Sequence, residues 1–235
     1  MRVMNDWDCR LLPMSGEWIT SPTDTAKAMM LLKEKYNLKR FLLTPFYDAT
    51  VESISMFLWR RKQTFEELKK ILPSEVTVRC GAVALLSPGL SHSNALNRLR
   101  LSRTNFLPVR LPLLSTGNWL SAELNRLLYH TPYRILFYAF DSLLPFYPTE
   151  DILRWSRLPN AAYCFRYQAL ESPFLRELMR EMLSANQPIL FGTCVNSYEK
   201  ACYLELDHYL QLASSHFSEY ECDRLFQGHR FLYRS

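Results

Sequence analysis

The chain has 235 residues, of which 48% are hydrophobic, so it can bury a full core as one domain spanning residues 1–235. It has no run of about 18 apolar residues and no basic segment leading into an apolar one, so we expect a soluble, cytoplasmic protein without membrane insertion. The net charge is +5, but the chain contains no long block of basic residues, so nucleic acid is an unexpected partner. The six cysteines are scattered along the chain, which indicates free thiols.

Short apolar runs alternate along the chain with longer segments of helical period, a pattern typical of a mostly parallel sheet or barrel. We predict about seven strands from these runs. In chain order they cover residues 3–9, 41–45, 76–83, 107–114, 134–140, 161–165 and 188–191. Pro108 and Pro112 favour an edge or irregular position for the fourth strand, because proline cannot donate a ladder hydrogen bond.

The segments between these strands predict helices. Ser21 and Pro22 supply an N-cap and a first helical residue for a helix that runs to about Tyr36. Apolar residues at spacings of three and four predict a second helix over about residues 50–72. Further helices are predicted at residues 119–130, after a cap at 149–151, around 174–183, and at 198–213 and 220–226. Residues of about 86 to 105 form a long polar loop.

The opening motif indicates the ancestry of the chain. Residues 5–13, NDWDCRLLP, resemble the Asp-x-His-x-His-hydrophobic-Leu-Pro start of the polymerase and histidinol phosphatase (PHP) superfamily, in particular its capsule-locus tyrosine phosphatase branch. Asp8 and Arg10 occupy the places of the two histidines. The resemblance implies an α/β fold, a single distorted (β/α)7-type barrel of the PHP kind. It also implies that the reactive positions lie at the C-terminal ends of strands.

The later metal-ligand positions of the family are replaced in the same way. Thr44-Pro45-Phe46 resembles Thr-Pro-His, Gly81-Ala82-Val83 resembles Gly-Ala-Glu, Ala139-Phe140-Asp141 resembles Ala-His-Pro, and residues 191–196 resemble Ser-Asp-Ala-His-Asn with Thr193 and Val195 in the ligand places. The family would hold Mn, Fe or Zn-type divalent ions at these positions. Because Phe and Val have no lone pair to donate and Arg repels a cation, we expect no metal and no cofactor in this chain.

Strand alternation predicts which other side chains would share the barrel mouth. Arg79 would face inward with Val83, alongside Arg10, whereas Cys9, Cys80 and Cys194 would face outward beneath the helices. Two arginines and an aspartate could bind a phosphate or a carboxylate, or they could form an ion-pair network that fills the space left by the lost metals. An apolar floor is predicted from five aromatic residues, Phe46, Tyr47, Phe140, Phe146 and Tyr147.

Two functional hypotheses follow. The first is a degenerate tyrosine-phosphatase-like protein without metal-dependent phosphoesterase activity. By resemblance, it would regulate capsule or exopolysaccharide synthesis by binding a phosphorylated or tyrosine-rich segment, such as the tail of a bacterial tyrosine kinase. The alternative is an active phosphoesterase, a protein-tyrosine phosphatase with a rebuilt site in which Asp8 is the acid or nucleophile and Arg10 and Arg79 clamp the phosphate.

Overall fold

A computed structural model describes residues 21–101, 105–113, 118–193, 195 and 197–226, together with the backbone of residues 6–9. Its strands are β1 (Asp6–Cys9), β2 (Arg40–Leu43), β3 (Phe46–Tyr47), β4 (Thr77–Cys80), β5 (Val83–Leu85), β6 (Phe106–Arg110), β7 (Arg134–Phe137), β8 (Ala161–Arg166) and β9 (Ile189–Gly192). Its α-helices are α1 (Pro22–Tyr36), α2 (Ile54–Ile71), α3 (Leu96–Leu99), α4 (Trp119–His130), α5 (Thr149–Ser156), α6 (Pro173–Ser184), α7 (Tyr198–Cys202), α8 (Leu206–His216) and α9 (Glu219–Phe226). The alternation of parallel strands with helices confirms the predicted α/β class.

The chain divides into two compact units. Unit 1 comprises Met1–Val83 and Gly192–Leu204, and unit 2 comprises Ala84–Phe191 and Glu205–Ser235. Organisation as one domain over residues 1–235 stays a prediction. Within the part of the chain that the structure describes, no helix is both long and apolar enough to cross a membrane.

The sheet of unit 1 consists of parallel strands in the order β1-β2-β4. Helix α1 begins where the sequence predicts, because the side chain of Ser21 accepts a hydrogen bond from the amide of Asp24 at 3.1 Å and Pro22 follows it. The helix ends at Asn37, which has a left-handed conformation with a φ of 54°. Helix α1 packs against α2 and α7.

The sheet of unit 2 runs in the order β5-β6-β7-β8-β9. Of the two predicted alternatives for the proline-containing strand, an edge position or an irregular one, the edge position is wrong, because β6 lies between β5 and β7. The register explains how the sheet accommodates Pro108. The carbonyl of Val109 accepts from Tyr138 on the β7 side, so by alternation the nitrogen of Pro108 faces the β5 side. The β5–β6 pairing begins only at Ala84 and Val109, so no bond of that pairing is lost.

Several predicted boundaries differ from the structure. The strand predicted over residues 76–83 is two strands, β4 and β5, and the helix predicted over 198–213 is two helices, α7 and α8. Helix α5 begins at Thr149 after Pro148, and no side chain caps it, so Thr149 is not the N-cap. The predicted strand over 134–140 ends at Phe137, where a turn leads into a 3-10 helix over Phe140–Leu143.

The predicted loop over residues 86–105 contains ordered structure in its described part. It includes a 3-10 helix over Leu90–His92 and the short helix α3. Leucines anchor it, since Leu90, Leu96 and Leu99 are buried. Helix α4 also holds it, because the buried carboxylate of Glu123 accepts a hydrogen bond from the amide of Ser91. The described part of this segment is therefore largely packed within unit 2.

Candidate functional site

The strand ends of unit 1 are aligned, as the site prediction requires. The register pairs Cys9 with Leu43 and Leu43 with Cys80, so the last residues of β1, β2 and β4 lie side by side. Asp8 belongs to β1, where the pairing register shifts between Asp6 and Cys9, so regular alternation does not carry through this strand. The side chain of Asp8 and the whole of Arg10 lie outside the described residues.

Two of the predicted ligand positions lie on neighbouring segments just beyond these strand ends. The amide of Gly81 donates to the carbonyl of Leu43 at 2.7 Å, and the amide of Val83 donates to the carbonyl of Pro45 at 2.9 Å. These bonds hold the backbones that carry Phe46 and Val83 next to each other. Both side chains are buried, Phe46 with 2% and Val83 with 0% of its surface exposed. Buried hydrocarbon therefore lies at both positions where the resemblance predicts a histidine and a glutamate.

Thr193 and Val195 come directly after β9 in the chain. Both residues belong to unit 1, and both are buried. The hydroxyl of Thr193 accepts a hydrogen bond from the amide of Val195 at 3.4 Å, so it is used in a local turn. Their neighbours Cys194 and Asn196, which belong to the same motif, lie outside the described residues.

Phe140 belongs to unit 2 and lies in an aromatic cluster there. Its ring is 5.1 Å from that of Tyr163 and 5.7 Å from those of Phe137 and Phe165, with fully buried side chains throughout. The predicted aromatic floor is distributed between the units, since Phe46 and Tyr47 belong to unit 1 and the other three residues to unit 2. Within unit 2, Phe146 is 45% exposed, so it is not part of a buried floor.

The arginines of unit 1 differ from the prediction. Arg79 is exposed on β4, so it does not share the buried environment of Val83. Arg61 of α2 instead reaches the strand ends, where its Nη1 donates to the carbonyl of Gly81 at 2.9 Å. The sequence contained a signal for this contact, because Arg61 interrupts the apolar stripe of α2 that also carries Phe57 and Leu68.

The chemistry of these residues does not fit the divalent metals that the family would use. The side chains of Phe46, Val83, Phe140 and Val195 have no atom that can donate a lone pair to a metal ion. Arg61 places a positive charge at the carbonyl of Gly81, two residues before Val83 in the chain. Among the described residues, no group of three or more His, Cys, Asp or Glu side chains could hold a metal ion. Burial raises the pKa of the Cys80 thiol to about 11, so Cys80 is also unsuited as a nucleophile at neutral pH.

Unit 2 contains an ion pair at strand ends that sequence reasoning missed. Asp141, next to Phe140, accepts two hydrogen bonds from Arg166, one from the backbone amide at 2.9 Å and one from Nε at 2.6 Å. Burial raises the pKa of the Asp141 carboxyl, and Arg166 opposes this shift. The available signal was an acidic residue shortly after one apolar strand and a basic residue ending the next.

Comparison with solved structures identifies the fold. One solved structure, from the work on YwqE from Bacillus subtilis and CpsB from Streptococcus pneumoniae, described as unique metal-dependent tyrosine phosphatases, matches over 98% of this chain and 94% of its own, with a TM-score of 0.72 and 14% sequence identity. The chain has the fold of these phosphatases. The resemblance predicted from the opening motif is therefore confirmed at the level of the fold.

Other comparisons add little. A zinc-bound amidohydrolase from Burkholderia ambifaria matches with a TM-score of 0.47 and 12% identity, over 89% of this chain and 68% of that one, which is too weak to argue from. No protein-family model and no curated protein matches the sequence.

Proposed function

We propose that this protein is a degenerate relative of the metal-dependent tyrosine phosphatases that binds a phosphorylated or tyrosine-rich protein segment without hydrolysing a phosphoester. One observation carries the proposal. At the ligand positions that lie together in unit 1, Phe46 and Val83 are buried hydrocarbon, and Val195 of the same unit is buried as well. A site of this chemistry cannot supply the first ligands of a catalytic metal.

The physical argument concerns the nucleophile. Metal-dependent phosphoesterases activate a water molecule on the bound ion, and further metal charge stabilises the phosphoryl oxygens. Buried phenylalanine and valine side chains can neither bind such an ion nor replace its charge. Arg61, fixed on the Gly81 carbonyl, adds a positive charge near the place where the family has a bridging carboxylate. This charge further disfavours a divalent cation.

The partner class comes from the similarity to tyrosine phosphatases. A chain that keeps the fold of such an enzyme and loses its hydrolytic residues can retain affinity for the enzyme's substrate, because binding and turnover depend on different groups. We therefore propose a segment of a bacterial tyrosine kinase as the partner, with a regulatory role in capsule or exopolysaccharide synthesis.

The proposal is tested first by activity. The purified full chain, prepared without chelators, is analysed for metal by elemental mass spectrometry and assayed on an aryl phosphate with and without added manganese. We expect no stoichiometric metal and no manganese-dependent turnover. Turnover that is lost in Asp8→Asn and reduced in Arg79→Gln would instead support the rebuilt phosphoesterase and contradict the proposal.

The second test is binding. A tyrosine-rich peptide is titrated against the protein in its phosphorylated and unphosphorylated forms, and affinity is measured by calorimetry. Saturable binding of either form, with no release of phosphate during the titration, is the expected result. If neither form binds at concentrations up to about 1 mM, where the binding free energy falls to roughly 4 kcal/mol, the binding role is wrong.

A further inference from the structure

Asp141 accepts both of the hydrogen bonds that Arg166 donates from its backbone amide and its Nε. The side chain of Asp141 is 2% exposed. The side chain of Arg166 is nevertheless 40% exposed. The guanidinium meets the carboxylate through Nε, so its two terminal nitrogens are not used in this ion pair. Among the described residues, no other group accepts a hydrogen bond from Arg166.

The backbone sets this geometry at the C-terminal edge of the parallel strands of unit 2. Strand β7 pairs with β8 in a register that places Phe137 opposite Tyr163, and β8 ends at Arg166. After β7 the chain turns at Ala139, which has a left-handed conformation with a φ of 49°. This conformation is unfavourable for alanine by about 1 kcal/mol or more. The turn brings Asp141 back toward the end of β8.

Burial of the Asp141 carboxylate has a large free-energy cost. Taking a carboxylate out of water costs several kcal/mol, and an ion pair repays this cost only with good geometry. In this pair, the buried partner is the aspartate, and the exposed partner is the arginine. Such an arrangement fixes the orientation of the guanidinium and leaves its two terminal nitrogens outside the ion pair. In α/β folds, ligands bind at the carboxyl ends of the strands, where Arg166 lies.

We propose that Arg166, oriented by Asp141, binds the phosphoryl group of a phosphomonoester at the C-terminal edge of unit 2. The two terminal nitrogens match two oxygens of a phosphoryl group in a forked pair of charge-assisted hydrogen bonds. Because a phosphoryl group carries more negative charge than a carboxylate, the positively charged guanidinium attracts it more strongly. The choice of a phosphomonoester rests on the proposed function, whereas the anion site itself rests on the geometry.

The proposal is tested by calorimetric titration of the full chain with phenyl phosphate, inorganic phosphate and benzoate. Arg166→Gln, which removes the fork and the charge, is expected to weaken phenyl phosphate binding roughly tenfold or more. Arg166→Lys keeps the charge but not the fork, and it is expected to lose most of the same affinity. Arg154→Gln is the matched control, because Arg154 is an exposed arginine of unit 2 that pairs with Asp151. Its affinity should equal that of the unsubstituted chain.

The outcomes separate this inference from the proposed function. Equal affinity for phenyl phosphate in the unsubstituted chain and both Arg166 variants would overturn the inference, even if the phosphorylated peptide binds. Binding of inorganic phosphate that depends on Arg166, without binding of the peptide, would keep the anion site and reject the proposed function. Benzoate binding as tight as that of phenyl phosphate would overturn the phosphoryl assignment, and no binding of any anion would overturn the site. If Arg166→Gln does not fold by circular dichroism, Arg166→Lys carries the test.

Discussion

Replacing Val83 by glutamate puts a carboxylate at the buried position where the resemblance to the PHP superfamily predicts a bridging carboxylate. Val83 has 0% of its surface exposed, and its amide is fixed on Pro45 at 2.9 Å, so the new side chain has no direct route to solvent. The substitution thus asks whether the surroundings of position 83 are those of a protein core or of a metal site.

The expected cost can be worked from the burial. Loss of a fully buried valine side chain costs about 2 kcal/mol, and burying a carboxyl group without a hydrogen-bond partner adds roughly 1–3 kcal/mol even when it is neutral. To stay neutral at pH 7, the carboxyl group must have a raised pKa. Each unit of that rise adds about 1.4 kcal/mol to the cost of burial. We therefore expect Val83→Glu to lower the free energy of unfolding by about 4 kcal/mol or more, a large share of ordinary domain stability.

The assay is urea unfolding of the unsubstituted chain, Val83→Glu and Val83→Thr, followed by circular dichroism with and without excess manganese. Val83→Thr is the control, because it keeps the shape of valine and adds a polar atom without a charge. A loss below about 1 kcal/mol in Val83→Glu would contradict the burial argument. Recovery of more than about 2 kcal/mol with manganese would show that position 83 still faces a metal site, since a ligand stabilises a fold only by binding to it.

Three further predictions concern the thiol of Cys80 and the buried carboxyl groups of Asp141 and Glu123. Because burial raises the pKa of Cys80 to about 11, iodoacetamide should alkylate the exposed Cys202 in the folded chain, while Cys80 reacts only after unfolding, as mass spectrometry of tryptic peptides would reveal. The pKa of Asp141 is raised in the folded state, so its contribution to stability is lost as pH rises through that value. The unfolding free energy of the unsubstituted chain, relative to Asp141→Asn, should therefore increase between pH 7 and about pH 4, and a flat difference would count against the shift. Glu123→Ala removes the acceptor of the Ser91 amide and should destabilise unit 2 by roughly 1–3 kcal/mol, with hydrogen exchange at Ser91 accelerating before that in β7. Unchanged exchange at Ser91 would mean that Glu123 does not hold the segment.

Local signals predicted the elements whose boundaries depend on nearby residues. Helix α1 begins after Ser21 because a serine and a proline suit its first turn, and helix α4 spans Trp119–His130 as its apolar spacing indicates. Of the edge and irregular positions predicted for the strand that contains Pro108, the edge position is wrong. The position of this strand depends on where β5 begins to pair with it, which the strand's own residues do not state.

The sequence by itself determined that three positions where the resemblance predicts metal ligands carry side chains that cannot bind a metal ion. Residue type decides whether a side chain has a lone pair, and Phe46, Val83 and Val195 have none. Only the tertiary structure decided which charges lie at the strand ends. Arg61 reaches Gly81 from a helix twenty positions earlier, and Asp141 meets Arg166 across neighbouring strands. The first contact forms because helix α2 packs against β4, and the second because neighbouring parallel strands end side by side. The strength of each contact depends on burial that arises only when the sheets and helices pack.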